Sequence, residues 1–200
     1  MVATPAQLHT ALVQLRTRVD EHFEAAVRRS PAAFACAEGC ESCCHQRFSV
    51  FEIEASTLRN ALVEIETADP ALRQRIREQA TSREHSERCA LLVDGRCAVY
   101  DARPMICRSH GLPIAVEGTD GQKIDCCPLN FRAPTDNDEP VGPRRFTPEP
   151  PARSILRLAA VNQPLAVLAE LWHRTTRSTH LRVELAQLAA EPSRTNKVQR

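Results

Sequence analysis

A chain of 200 residues is long enough to bury a hydrophobic core without disulfides or metals, so its nine cysteines need a separate explanation. The charge is balanced, with 26 Lys and Arg against 25 Asp and Glu, and aromatic residues make up only 4%. These figures argue against nucleic acid or an anionic membrane surface as a partner.

The N-terminal stretch and the cysteine count together predict a cytoplasmic protein. Residues 1–21 have no basic flank, no uninterrupted apolar segment and no small-residue cleavage site, and the chain has no run of 18 apolar residues. We therefore expect neither export nor a membrane partner. Structural disulfides do not persist in a reducing compartment, so clustered cysteines of odd number are expected to bind metal or act as redox thiols.

Three helices are predicted in the first part of the chain. Apolar residues at spacings of three and four predict a helix over residues 5–30, with proline at its first position. Ser49 and Glu52 have the spacing of a capping box and are expected to open a second helix. Asp69-Pro70 is a typical start for a third. The densest cysteine run lies between the first two helices and is predicted to form a loop.

After the third helix the sequence pattern changes from helical spacing to strands separated by turns, and two β-hairpins are predicted. Asp94-Gly95 lies between the runs CALLV and RCAVY, and this dipeptide between apolar segments favours a two-residue turn. A weaker pattern predicts a second hairpin around residues 118–121. Small antiparallel β-structure is therefore expected here.

The remaining chain is predicted to be an extended connection followed by helices. Six prolines between residues 131 and 151 can neither pair in a sheet nor continue a helix. The spacing of Leu, Ile and Ala predicts helices over residues 154–175, interrupted at Pro164, and over residues 180–190.

Together these elements predict a mainly α fold with small antiparallel β-hairpins and a cysteine-rich metal-binding core. The expected segments are an N-terminal helix (1–35), a cysteine-cluster domain (36–130), a Pro-rich connection (131–152), C-terminal helices (153–191) and a frayed tail (192–200).

Four thiols within nine residues give the strongest chemical signal in the sequence. They are Cys36, Cys40, Cys43 and Cys44, and such short spacings allow one loop to wrap a single ion or cluster. The other five follow at wider intervals, at Cys89, Cys97, Cys107, Cys126 and Cys127. They are enough for a second four-ligand site or for completing the first, and both alternatives stay open.

Local geometry restricts which thiols can cooperate. If Asp94-Gly95 forms the turn, Leu92 pairs with Cys97 and Cys89 with Tyr100, which places Cys89 and Cys97 on opposite faces of a regular ladder. Adjacent cysteines in extended backbone also diverge, so one member of each adjacent pair is expected to serve as a redox thiol or to lie behind the ligands.

The cysteine pattern resembles the YkgJ-type cysteine-cluster family, a zinc- or iron-chelating domain. The run C-x3-C-x2-C-C is followed by CAVYDARPMICR, and the resemblance covers roughly residues 36–128. It implies that the shared cysteines are Cys36, Cys40, Cys43, Cys44, Cys89, Cys97 and Cys107, with Tyr100, Arg103, Pro104 and Arg108 in the Y-x-x-R-P-x-x-C-R signature. Cys126 and Cys127 extend this common core.

The resemblance implies a cofactor class more than a reaction. We expect an iron-sulfur cluster, with the 4Fe-4S type favoured, or Zn²⁺, and a protein or peptide as a further partner. Relatives of the family include flagellin lysine methylases, so the alternatives are a structural zinc module for protein interaction and an iron-sulfur-dependent, protein-modifying enzyme.

Charged residues beside the thiols fit an anionic metal site. Arg103 and Arg108 are predicted to offset thiolate charge and to donate hydrogen bonds to sulfur. The alternative is an ordinary ion pair with a carboxylate. His45 and His110 lie near thiols but are not expected to be ligands, since nine thiols are present.

Two other functional classes have some support in the cysteine spacing. Cys36, Cys40 and Cys43 have the spacing of radical S-adenosylmethionine enzymes, but two helices and a hairpin follow instead of a barrel of alternating strands and helices. A metal-free thiol switch is the other alternative.

For a single centre we rank Cys36, Cys40, Cys43 and Cys107 first. We assign Cys97, Cys126 and Cys127 to a second centre or redox role.

Overall fold

The computed structural model describes residues 3–82, 87–118, 121–132 and 146–192. In the described residues the helices are α1 Pro5–Arg29, α2 Glu52–Ala68, α3 Pro70–Thr81, α4 Met105–Ser109, α5 Leu158–Thr176 and α6 Leu185–Ala190. The strands are β1 Ser49–Phe51, β2 Leu92–Val93, β3 Arg96–Cys97, β4 Ile114–Gly118, β5 Gly121–Asp125, β6 Leu156–Arg157 and β7 Arg182–Glu184. The predicted mainly α fold with small antiparallel hairpins is confirmed.

The chain forms two compact units, each built from segments distant in sequence. The described part of the first unit is residues 3–5, 41–82, 87–104 and 169–192, and that of the second is residues 6–40, 105–118, 121–132 and 146–168. Helix α5 contributes residues to both. Four cysteines belong to the first unit and five to the second.

The core of the first unit lies among α2, α3 and α6. Leu58, Ile76 and Leu188 have no exposed surface, and Cys89 and Cys97 pack against the same cluster at its edge. Strands β1 and β7 form an antiparallel pair, and β2 and β3 form a separate hairpin. Cys89 and Cys97 therefore lie on short segments that border a helical core.

Local sequence signals explain how the helices of the first unit begin. The Asp69 carboxylate accepts a hydrogen bond from the Leu72 N–H at 2.9 Å, so the predicted start of α3 is confirmed. The expected capping box of α2 is wrong, because Ser49 belongs to a strand. The carboxylate of Glu54 instead accepts from the Phe51 N–H at 3.3 Å, two residues further along.

The second unit contains α1, α4 and a three-stranded sheet. Helix α1 ends one residue before the end of the predicted 5–30 range. The second predicted hairpin is present as β4 and β5. Strand β6 adds to β4 in parallel, giving the order β5-β4-β6. Phe34 stacks edge-on against the fully buried Phe131, with ring centroids 5.1 Å apart. This aromatic contact anchors the start of the cysteine loop.

The C-terminal third differs from expectation at three points. Residues 156–157 and 182–184, both predicted to be helical, form strands β6 and β7, so α5 begins at Leu158 and α6 at Leu185. Helix α5 runs through Pro164 without interruption, although a proline removes a backbone hydrogen bond there. Val161, Leu165 and Ala169 of this helix are buried, and their burial supports a continuous helix. Most of the predicted Pro-rich connection and of the frayed tail lies outside the described residues.

Candidate metal centre

In the first unit, hydrogen bonds hold the Cys43-Cys44 segment against the residues before the hairpin. Residues Ser42–Cys44 form a single 3-10 turn, in which the Cys44 N–H donates to the Glu41 carbonyl at 2.7 Å. The Cys89 N–H donates to the Cys44 carbonyl at 2.7 Å, and Arg88 forms an ion pair with Glu41 at 3.1 Å. Two segments more than forty residues apart in sequence are thus joined at Cys44 and Cys89.

The adjacent thiols Cys43 and Cys44 hydrogen-bond to each other. This contact is the main cause that raises the pKa of Cys43 above its usual range, and burial raises it further. The expectation that adjacent cysteines diverge assumed extended backbone, whereas this pair lies in a helical turn. The two thiols of the pair therefore interact with each other instead of diverging.

Cys89 and Cys97 interact although the regular ladder was expected to separate them. The predicted pairs Leu92–Cys97 and Val93–Arg96 are confirmed, but the ladder ends there. Cys89 lies in a turn, where its carbonyl accepts from the Leu92 N–H at 3.0 Å. Burial raises the pKa of both thiols, and for each the nearby thiol of Cys43 raises it further. Cys43, Cys89 and Cys97 therefore share one electrostatic environment.

Arg103 places a positive charge near the thiols of Cys43 and Cys97. Its guanidinium lies over the Tyr100 ring, 3.5 Å from the centroid, and its Nε donates to the Tyr100 carbonyl at 2.9 Å. The positive charge acts to lower the pKa values of Cys43 and Cys97, against the larger effects that raise them. Arg103 thus favours the thiolate forms that a metal requires.

The first-unit thiol group is defined here as Cys43, Cys44, Cys89 and Cys97. Soft thiolate donors suit zinc and iron, so the chemistry of this donor set fits either metal. Among the residues that the structure describes, no three Cys, His, Asp or Glu side chains converge closely enough to hold one ion. The pKa values of Cys43, Cys89 and Cys97 are raised, which favours the protonated thiol over the thiolate. Ligation therefore requires loss of these protons.

In the second unit, Cys36 lies against a buried amide. The Asn130 Nδ2 donates to the Cys36 Sγ at 3.2 Å, and the same nitrogen donates to the Gly111 carbonyl at 2.7 Å. The Cys126 thiol donates to that carbonyl at 3.3 Å. Gly111 therefore links two cysteines that are ninety residues apart in sequence.

The other second-unit cysteines lie on different local elements. Cys40 is exposed in the loop, Cys107 is half-buried on α4, and Cys127 is buried beside Cys126. All nine cysteines lie in the described residues, and none forms a disulfide. Cys43 lies in the first unit with Cys44, Cys89 and Cys97, and Cys36, Cys40 and Cys107 lie in the second.

Arg108 and the two histidines have identified neighbours. Arg108 is nearly buried and pairs with Asp20 at 2.5 Å, which is the ion-pair alternative raised from the sequence. The His45 Nε2 lies 3.5 Å from a Glu41 carboxylate oxygen. Burial lowers the pKa of His110, and the charge of Asp125 opposes this shift.

Two residues of the site were missed by sequence reasoning. Asn130 and Gly111 lie against the Cys36 thiol but carry no thiol, imidazole or carboxylate, so a search for those residue types passes over them. The signal for Asn130 was its position three residues after Cys127, within the last turn of the cysteine region.

Comparison with known proteins identifies the cysteine region. Residues 35–130 match the family model "CxxCxxCC: Putative zinc- or iron-chelating domain". This segment is a CxxCxxCC domain. The resemblance inferred from the sequence is confirmed, although the first spacing in this chain is three residues rather than two. The family supports chelation of zinc or iron as the function of the cysteines.

The other comparisons add no relative. Neither the search of curated proteins nor the search of solved structures found a match. In the described part of the chain, every helix is too short or too polar to span a membrane.

Proposed function

We propose that this protein binds zinc or an iron-sulfur cluster through its cysteine thiolates, and that the first-unit thiol group supplies the ligands of one centre. The observation that carries this proposal is the 2.7 Å hydrogen bond from the Cys89 N–H to the Cys44 carbonyl, which joins two distant cysteine segments. The thiol of Cys43 also raises the pKa values of Cys89 and Cys97. All four thiols of the group belong to the CxxCxxCC domain. Four thiolates form a complete shell for tetrahedral zinc and a complete ligand set for a 4Fe-4S cluster.

The charge of the group supports this assignment. Four thiolates and one Zn²⁺ carry a net charge near minus two, and a cluster ligated by four cysteines is also anionic. The guanidinium of Arg103 is held by two contacts, with the Tyr100 ring and with the Tyr100 carbonyl. A fixed cation beside anionic sulfur stabilises the bound form.

Under the same proposal, the second-unit cysteines ligate a second metal centre or act as redox thiols. They are Cys36, Cys40, Cys107, Cys126 and Cys127. The contact of both Cys36 and Cys126 with the Asn130–Gly111 pair supports a common role for these two thiols. A bound cluster would add electron transfer or substrate activation, whereas zinc would make the domain a scaffold for a protein or peptide partner.

The test is metal content after single substitutions in protein purified without air. Cys43→Ser and Cys97→Ser should each lose about one metal centre per chain, while Ser42→Ala, in the same turn, should retain the wild-type content. Iron, sulfide and absorbance near about 400 nm would identify a cluster, and colourless protein that releases zinc would identify zinc. Full metal content in both cysteine variants would contradict the proposed ligands. Metal-free protein with oxidisable thiols would favour the thiol switch.

A further inference from the structure

Asn130 is a fully buried polar side chain whose orientation is fixed by the backbone. Its Oδ1 accepts from the Ala35 N–H at 2.8 Å, and its Nδ2 donates to the Gly111 carbonyl at 2.7 Å. A backbone N–H can only donate and a carbonyl can only accept, so these two contacts exclude the flipped amide. The Nδ2 therefore faces the Cys36 Sγ as a donor, at 3.2 Å.

The sulfur of Cys36 is also confined by close packing. A Cβ at Gly111 would lie 2.8 Å from this sulfur, closer than side-chain carbons are found, and Gly111 has a φ of +99°. The Phe131 N–H donates to the Ala33 carbonyl at 2.7 Å, which ties the loop before Cys36 to the segment that carries Asn130. Cys36 is exposed as a residue, yet its sulfur has a defined place.

We propose that Asn130 positions the Cys36 sulfur as a metal ligand by donating an amide N–H to it. This inference rests on the proposed metal-binding function. A ligating thiolate accepts hydrogen bonds, and a donor that is already oriented both aims the sulfur and offsets its charge. Cys40 lies four residues after Cys36 in the same loop. The Asn130 amide donates to the Cys36 sulfur, so Cys40 serves as the control cysteine.

The contact itself can be tested in metal-free protein by NMR of the Asn130 side-chain NH₂ group. In Cys36→Ala one of the two Nδ2 proton resonances should move, because its acceptor is removed, while the proton bonded to Gly111 should keep its shift. Cys40→Ala should leave both resonances in place. Resonances that do not respond to Cys36→Ala, or that respond equally to both variants, would overturn the inference. This NMR experiment leaves Asn130 unchanged and needs no bound metal.

The role in metal binding is tested with Zn²⁺ and a competing chelator. Asn130→Asp keeps the size and the acceptor for Ala35 but removes the donor, so Zn²⁺ affinity should fall by about 10- to 100-fold. The same substitution in a Cys36→Ser background should cause no further loss, because its effect acts through Cys36. An equal loss in both backgrounds would indicate a merely structural role. Equal affinity of wild type and Asn130→Asp would also overturn the inference, whereas a wild type that binds no Zn²⁺ would overturn the proposed function.

Discussion

Zinc binding to the metal-free protein at pH 7 should release at least three protons per ion. A hydrogen bond with Cys44 and burial raise the pKa of Cys43, and burial raises the pKa values of Cys89 and Cys97, so all three thiols favour the protonated form. A thiol must lose its proton to ligate a metal. Zinc affinity should therefore rise with pH. Loss of three protons gives an increase of about three orders of magnitude per pH unit while the thiols are protonated, which is about 4 kcal/mol of binding free energy.

The proton count can be measured by adding Zn²⁺ to metal-free protein in a dilute pH-indicator solution without air. Cys97→Ser should release one proton fewer, and Ser42→Ala should match the wild type. Release of one proton or none, or a zinc affinity that is independent of pH between 6 and 8, would refute the assignment of these thiols as ligands.

Three further outcomes are expected. Chelation should disorder residues 36–48 and 89–128 while most far-UV helical signal remains, because α1, α2 and α5 bury apolar residues of their own; complete loss of helicity would contradict this. Arg103→Met should weaken Zn²⁺ binding by about tenfold, since it removes the charge beside the thiols, and an unchanged chelator competition would argue against that role. Gly111→Ala should destabilise the protein by about 1–3 kcal/mol in urea unfolding, from strain at φ +99° and overlap with the Cys36 sulfur; a change below about 0.5 kcal/mol would show that the sulfur has room to move.

The parts of the fold that were predicted from the sequence are those set by local interactions. Asp94 and Gly95 both have positive φ, as a two-residue hairpin turn requires, and the hairpin forms in the expected register. Asp69-Pro70 starts a helix because a carboxylate and a proline both suit its first turn. These signals act over a few residues and can be read without knowing the rest of the chain.

The parts that were missed depend on distant partners. Ser49 and Glu52 have the spacing of a capping box, but Ser49 pairs with Glu184 in a strand, which moves the helix start to Glu52. Cys89 leaves the hairpin ladder because its N–H is bonded to the carbonyl of Cys44. Long-range pairing overrides local preference in both cases, and a single sequence does not reveal the partner.

In the candidate site, too, residue types can be read from the sequence, whereas the contacts between distant residues cannot. The sequence predicts all nine cysteines and Arg103 as site residues, because residue type and spacing carry that information, and this assignment stays a prediction. How the thiols are grouped depends on the turn at Cys43 and Cys44 and on the contact of Cys36 with Asn130. Both are properties of the folded chain.

X-ray absorption spectroscopy at the zinc and iron edges, on protein purified without air, tests the central claim most directly. The claim that cysteine thiolates alone hold the metal predicts a shell of sulfur atoms at about 2.3 Å and no oxygen or nitrogen ligand. A shell dominated by oxygen or nitrogen at about 2.0–2.1 Å would contradict it.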